Sequence, residues 1–239
     1  MSILNNMEFW AVIISLISLG VSLQPKIAAK IKGPKLEIEA NSGISLSHKY
    51  GFTNIMWHLT ILNTGGTELR IKKIAITLTH NNNVVEIPAR TYFKTMESIS
   101  PILLSPFKLK PGEDTSHNFC FFPILNRNED RMIREIESKA KIETAPDETT
   151  DTPRPMQFQT FKQLQSIYLQ NFALSHGEYQ IELDIETSAA QADIHRKFRF
   201  TLFEGDEKDL RDTTAGYISG NGVCRAPTDI VWFNIPLTD

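Results

Sequence analysis

Cysteine, net charge and catalytic signatures are what this 239-residue chain has least of. Its two cysteines, Cys120 and Cys224, are too few and too far apart for a disulfide framework or a zinc site. They read as free thiols, with a single long-range disulfide as the other reading. A net charge of -3 gives no sign of a nucleic-acid binder. Disorder is excluded as well, because hydrophobic residues at 41% and charged residues at 22% are the ordinary mix of a globular domain. The length suits one substantial domain, or one domain with an appendage.

Chemical motifs are equally sparse. The six histidines, at 48, 58, 80, 117, 176 and 195, have no metal-ligand spacing, and none has a cysteine beside it. No Gly-x-Ser-x-Gly elbow or P-loop occurs, and the glycine-rich run 216–222 lacks a following lysine. LDIETS puts Asp184 and Glu186 on one face of a strand and resembles the first metal-binding motif of the DnaQ-like exonucleases. In that family the motif opens the domain, with further acids far downstream. Here only 52 residues follow Thr187, without the closing His-x-x-x-x-Asp run. The sequence therefore offers no catalytic residue, no cofactor motif and no metal ligand.

What it does offer starts at the N-terminus, where Phe9 to Leu23 carries no charge. Extended to 8–27, the run is long enough to cross a bilayer, with Glu8 at one interface, Lys26 snorkelling to the other and Trp10 in the headgroup zone. No lysine or arginine precedes it and no small-residue cleavage site follows, unlike a secretory signal. It is apolar or small all round, unlike an amphipathic core helix. The expectation is a transmembrane helix over 8–27, with Phe9, Trp10, Leu16, Leu19 and Leu23 as anchor residues, after a short extracytoplasmic stretch at 1–7. Lys26, Lys30, Lys32 and Lys35 crowd the other flank, around a basic linker at 28–34. Their asymmetry predicts a single-pass protein at the cell membrane, N-terminus outside and the remainder cytoplasmic. Ala11, Ser15, Ser18 and Ser22 recur on one helix face, which suggests self-association into a homo-oligomer.

Past Gly33-Pro34 the periodicity changes from helical to alternating. Leu36, Ile38 and Ala40 alternate with charged residues. Over 53–63, Trp57, Leu59 and Ile61 share a face, and Asn63-Thr64-Gly65-Gly66 supplies the turn. In ELRIKKIAITLTH the apolar phase flips at Lys72-Lys73, the signature of a bulge or a strand changing sheets. Further strands are expected near 84–88, 107–110 and 116–122. EYQIELDIET and IHRKFRFTLF predict a hairpin with Leu183 opposite Phe198 and Ile181 opposite Phe200, which also sets Glu182, Asp184 and Glu186 against Arg199, Lys197 and His195. Helices are expected near 129–140, capped by Asn128, and over 158–171, with the acidic, proline-rich loop 144–155 between them.

ILNTGGTELRIKKIAITL, FKLKPGEDTSHNFCFF and the GEYQIELDI hairpin together resemble the immunoglobulin and fibronectin-type modules of bacterial membrane and surface proteins. The resemblance implies a mainly β chain, an immunoglobulin-like antiparallel β-sandwich over 35–204 with one or two inserted helices, followed by an extension at 205–239. In that extension Trp232 and Phe233 read as a final core strand or as a partner-binding peptide. The functional expectation is a membrane-tethered, non-catalytic module that binds an unknown protein partner and no nucleic acid. An exported adhesion or envelope module held by the same helix is the other reading. Its contact surface is expected at the loop 144–155 and the helices beside it.

Overall fold

The computed structural model of the protein describes residues 9–19, 21, 32–95, 98, 100–146, 152–225 and 232–238. Alternation governs the β-strands. In β3 (Phe52–Asn63) every second side chain is buried, and Ile55, Trp57, Leu59 and Ile61 are fully so. Tyr179, Ile181, Leu183 and Ile185 do the same in β9 (Gly177–Thr187). Each such aliphatic side chain contributes about 2 kcal/mol by leaving water, and together they make one continuous core.

β1 (Leu36–Ala40) and β2 (Gly43–Lys49) pair in turn with the two halves of one edge of β3, while β8 (Asp114–Phe121) takes the opposite edge. On the far side, β9 lies between β4 (Leu69–His80) and β10 (Ile194–Leu202). The phase flip at Lys72-Lys73 is a bulge: the β4–β9 register shifts between Ile71 and Lys73, so Ile71 and Ile74 both reach the core. Two short strands, β6 (Ile102–Leu103) and β7 (Phe107–Leu109), add to β5 (Asn83–Phe93) and to β4.

The expected immunoglobulin-like sandwich is corrected by β5. Its first half pairs with β4 and its second half with β8, with a register break between Ala89 and Thr91. One bent strand thus joins what would be two separate sheets. β11 (Phe233–Pro236) pairs with β2, and Thr238 just beyond it bridges to Arg199 of β10. The result is a nearly closed antiparallel barrel-like sheet in the order β10-β9-β4-β5-β8-β3-β2-β11. The C-terminal stretch contributes to it through its described residues, since β11 belongs to the sheet and Leu210 of α4 (Glu204–Asp212) lies in the main core.

The hairpin register differs from expectation by two residues. Ile181 faces Phe198, Tyr179 faces Phe200, Glu182 faces Lys197 and Asp184 faces His195. The connection accounts for it: a 3-10 turn at Ala190–Ala192 fills the loop, and Asp193 Oδ1 accepts from both the backbone N–H and the hydroxyl of Thr187. A shift of two keeps every aromatic on the inner face, so the hydrophobic pattern alone could not select between the two registers.

Between β8 and β9 the chain forms a helical layer of α2 (Arg127–Glu143) and α3 (Phe158–Asn171). α2 starts earlier than expected because Asn126, not Asn128, is its cap; the Asn126 side chain accepts from the Asn128 and Glu129 backbones while Glu129 reaches back to Asn126.

The transmembrane expectation is also corrected. Residues 9–19 form a helix, α1, spanning about 16 Å against a bilayer core of about 30 Å. Among the described residues no helix is long and apolar enough to cross a membrane. The single-pass topology with a cytoplasmic domain therefore has no support. Phe9, Trp10, Leu16 and Leu19 lie on α1, each more than half exposed, as do the exposed Ala11, Ser15 and Ser18. Leu23, Ser22, Lys26 and Lys30 lie outside the described residues. Lys32 is exposed, and Lys35 pairs with Glu37 at 2.7 Å.

Candidate functional site

The barrel meets the helical layer at the β2–β3 turn, where Tyr50 and Gly51 both take left-handed backbone conformations (φ 54° and 86°). Two consecutive positive φ values suit a two-residue hairpin, but a buried tyrosine in this region costs energy that its surroundings must offset. Those surroundings are specific. The Tyr50 hydroxyl donates to Glu137 Oε1 at 2.8 Å, and Lys49 Nζ meets the same oxygen at 2.9 Å. The Tyr50 backbone N–H donates to the Tyr217 hydroxyl at 3.2 Å, with the two rings edge-on at 5.8 Å. Burial, and next the Glu137 carboxylate, push the Tyr50 phenol far up, so it stays neutral and donates. Tyr217 is pushed up to about 12 by burial.

Gly51 is required here for a second reason. A Cβ on it would sit 2.6 Å from the Tyr168 carbonyl oxygen and 2.7 Å from the Phe172 nitrogen, at the C-terminus of α3. His48 packs against the same helix end, its ring 5.3 Å from Tyr168 and 5.4 Å from Phe172. Desolvation lowers its pKa, and its Nδ1 faces the Gly51 N–H. That leaves Nε2–H to donate to the Leu210 carbonyl at 2.8 Å, which fixes a neutral tautomer.

Beside this turn lies a cleft of about 570 Å³ between the end of the barrel and α2. Phe52, Phe93, Phe122, Leu125 and Trp232, all half-buried, and the buried Ile133 supply its apolar lining. Lys49, Asp130, Arg134 and Glu137 add charge, held in two ion pairs of 2.9 Å, Lys49–Glu137 and Asp130–Arg134. Cys120 also opens onto it; burial raises its pKa, so the thiol is not poised as a nucleophile. A second cleft of about 790 Å³ shares Lys49, Phe93 and Trp232 with the first, so the two run together past the Tyr50 turn. An apolar trough with a few fixed charges is suited to holding an apolar side chain together with the polar main chain around it.

Elsewhere the sequence-level candidates separate. Asp184 is engaged by His195 at 2.6 Å and Glu186 by Lys73 at 3.6 Å, on strands to either side. Among the described residues no three His, Cys, Asp or Glu side chains gather where a metal ion could bind. Both cysteines are free. Of the expected contact region, residues 147–151 lie outside the described residues; α2 exposes Met132 and Ile142 along a groove shared with α3, and α3 also exposes Leu169. The aromatic cleft itself went unread from the sequence. Its signal is CFFPIL, where Phe121 and Phe122 break the alternation just before Pro123, so that two adjacent aromatics cannot both point inward.

Comparison with known proteins adds little. No protein-family model matches the chain, and no curated protein matches it. A solved structure described as a protein from Archaeoglobus fulgidus is similar at 9% identity and a TM-score of 0.30, covering 71% of this chain and 96% of that one.

Proposed function

We propose that the protein is a non-catalytic protein-binding module that takes an extended segment of a partner into the cleft between barrel and helical layer. The observation that carries this reading is the convergence of five half-buried apolar side chains, Phe52, Phe93, Phe122, Leu125 and Trp232, around a trough whose charges are already paired. Aromatic anchors ringed by polar groups are where protein interfaces concentrate their energy. The partner supplies an aliphatic or aromatic anchor to this ring. No bond is made or broken: the thiol is held protonated and the carboxylates are neutralised by their ion pairs.

Panning a displayed random-peptide library against the full chain tests it. Peptides selected on the wild type are expected to share an apolar anchor, and to lose at least about tenfold in affinity against Leu125→Asp and against Trp232→Ala. Two variants from different segments guard against a folding defect in either, with melting temperatures checked alongside. Failure to enrich any peptide, or equal binding by wild type and both variants, overturns the reading.

A further inference from the structure

Among the described residues the barrel closes at one point. Arg199 of β10 and Thr238 exchange two backbone hydrogen bonds of 2.7 and 2.9 Å, and this is the sole bridge between β10 and the β11 segment among the described residues. Alternate residues of a strand turn their N–H and C=O to the same side, so His195, Lys197 and Thr201 turn theirs toward the seam as Arg199 does. Among the described residues none of the three makes a backbone bond there. The same alternation puts position 236 opposite Thr201, and position 236 is proline, which has no N–H to give. The seam therefore cannot zip further on that side. Instead it opens into a cleft of about 840 Å³, with Arg199, Thr201 and the exposed Phe203 on one wall, Asn234 and Pro236 on the other, and Tyr179, Phe200 and Ile235 beneath.

We propose that this seam is a strand-accepting site, where an extended acidic segment of a partner protein adds to the free edge of β10 and displaces the Thr238 bridge. It is a site separate from the aromatic cleft. Charge selects the occupant: His195, Lys197 and Arg199 stand exposed on the outer face of the edge, and Arg196 is exposed beside them. Arg196 and Arg199 make no ion pair among the described residues, whereas Lys197 has Glu182 at 3.5 Å and His195 has Asp184 at 2.6 Å. A strand with carboxylates at alternate positions places them against this row, the favourable cross-strand arrangement. A second copy of the chain is a poor occupant, because edge-to-edge pairing of two β10 strands sets cations against cations.

The probe is a fluorescent octapeptide alternating valine and glutamate, titrated against the full chain by anisotropy. A valine–lysine octapeptide and two N-methylated forms of the acidic peptide, each blocking one set of alternate amides, serve as comparisons. The acidic peptide is expected to bind at least tenfold more tightly than the basic one, and to protect the 195, 197 and 201 amides from hydrogen exchange. One N-methylated form should lose binding and the other keep it, because only one edge of the peptide faces β10. No binding by the acidic peptide, or equal affinity of the two N-methylated forms, overturns the proposal; in the second case the charged edge only attracts anions and repels other strands. The aromatic-cleft variant Leu125→Asp should bind the peptide unchanged, and loss of binding in it would also overturn a separate seam site.

Discussion

The barrel and the helical layer are stabilised in different ways. In the barrel, buried side chains are almost all aliphatic or aromatic, and the strand ladders satisfy the backbone. Its main polar intruder, the fully buried Asn63, is completely engaged: its amide donates to the Thr67 and Leu109 carbonyls while its oxygen accepts from the Gly65 N–H. The helical layer has a smaller apolar cluster, around Ile133, Ile136, Leu164 and Tyr217, laced with polar contacts. Tyr50 meets Glu137, Thr160 meets Glu143, and Thr144 donates back to Ala140. Apolar area is non-directional, whereas a hydrogen bond between buried groups is lost almost whole when geometry slips. The barrel is thus a frame that tolerates small displacements, and the layer is the part whose stability depends on exact geometry. The aromatic cleft lies on the boundary between the two.

Two substitutions test that contrast from opposite sides. Trp57 is fully buried at the centre of the barrel, edge-on to Phe198 at 5.1 Å, with its indole N–H donating to the Asn41 carbonyl. Trp57→Ala should cost about 4 kcal/mol and bring down barrel and layer together, seen as a single lower urea midpoint by both fluorescence and far-UV circular dichroism. Gly51→Ala comes next. Its left-handed backbone alone costs about 1–2 kcal/mol in an alanine, and the new methyl drives into the end of α3. Hydrogen exchange should then accelerate across α2 and α3 while β3 and β9 stay protected. Uniform acceleration across both regions would show that the layer is not a separable unit.

The same contrast explains what was legible in the sequence. Strands announced themselves wherever one face is buried and the other wet, as with Ile55 to Ile61 and Tyr179 to Ile185, because burial imposes a period of two. Closure into a barrel left no such trace. It depends on β5 changing partners at Ala89 and on one bridge between Arg199 and Thr238, neither of which alters the hydrophobic pattern. The hairpin register failed for a related reason: slipping by two preserves the faces, and the deciding interaction, Asp193 to Thr187, sits in the loop. For α1 the composition of Phe9 to Leu23 suggested a span, but the length of the described helix does not reach one. The aromatic cleft was the least legible feature, because Phe52, Phe122 and Trp232 come from three distant stretches that only strand pairing in the folded sheet brings to one cleft.

A smaller effect, expressed through pH, tests how α4 is tied to the frame. Glu207 Oε2 accepts from the His176 backbone N–H at 2.7 Å and lies 2.6 Å from the His176 ring nitrogen, while Oε1 accepts from Arg211 Nε at 2.8 Å. Arg211 in turn lies over the Phe172 ring at 4.3 Å, so this carboxylate fixes α4 against the end of α3. These donors, the His176 backbone first, hold the Glu207 carboxyl down at about 2 from an ordinary 4.5. Because the folded value is the lower one, the stabilisation is complete above pH 4.5 and drains away as pH falls toward 2. Glu207→Gln should therefore be less stable at neutral pH by about 1 kcal/mol after solvent screening. Its melting curve should approach that of the wild type as acid is added, because the wild type is losing the interaction that the variant never had. Melting temperatures that stay a constant distance apart from pH 7 to pH 2 would mean that the variant acts through packing, and that α4 is held by Leu210 in the core.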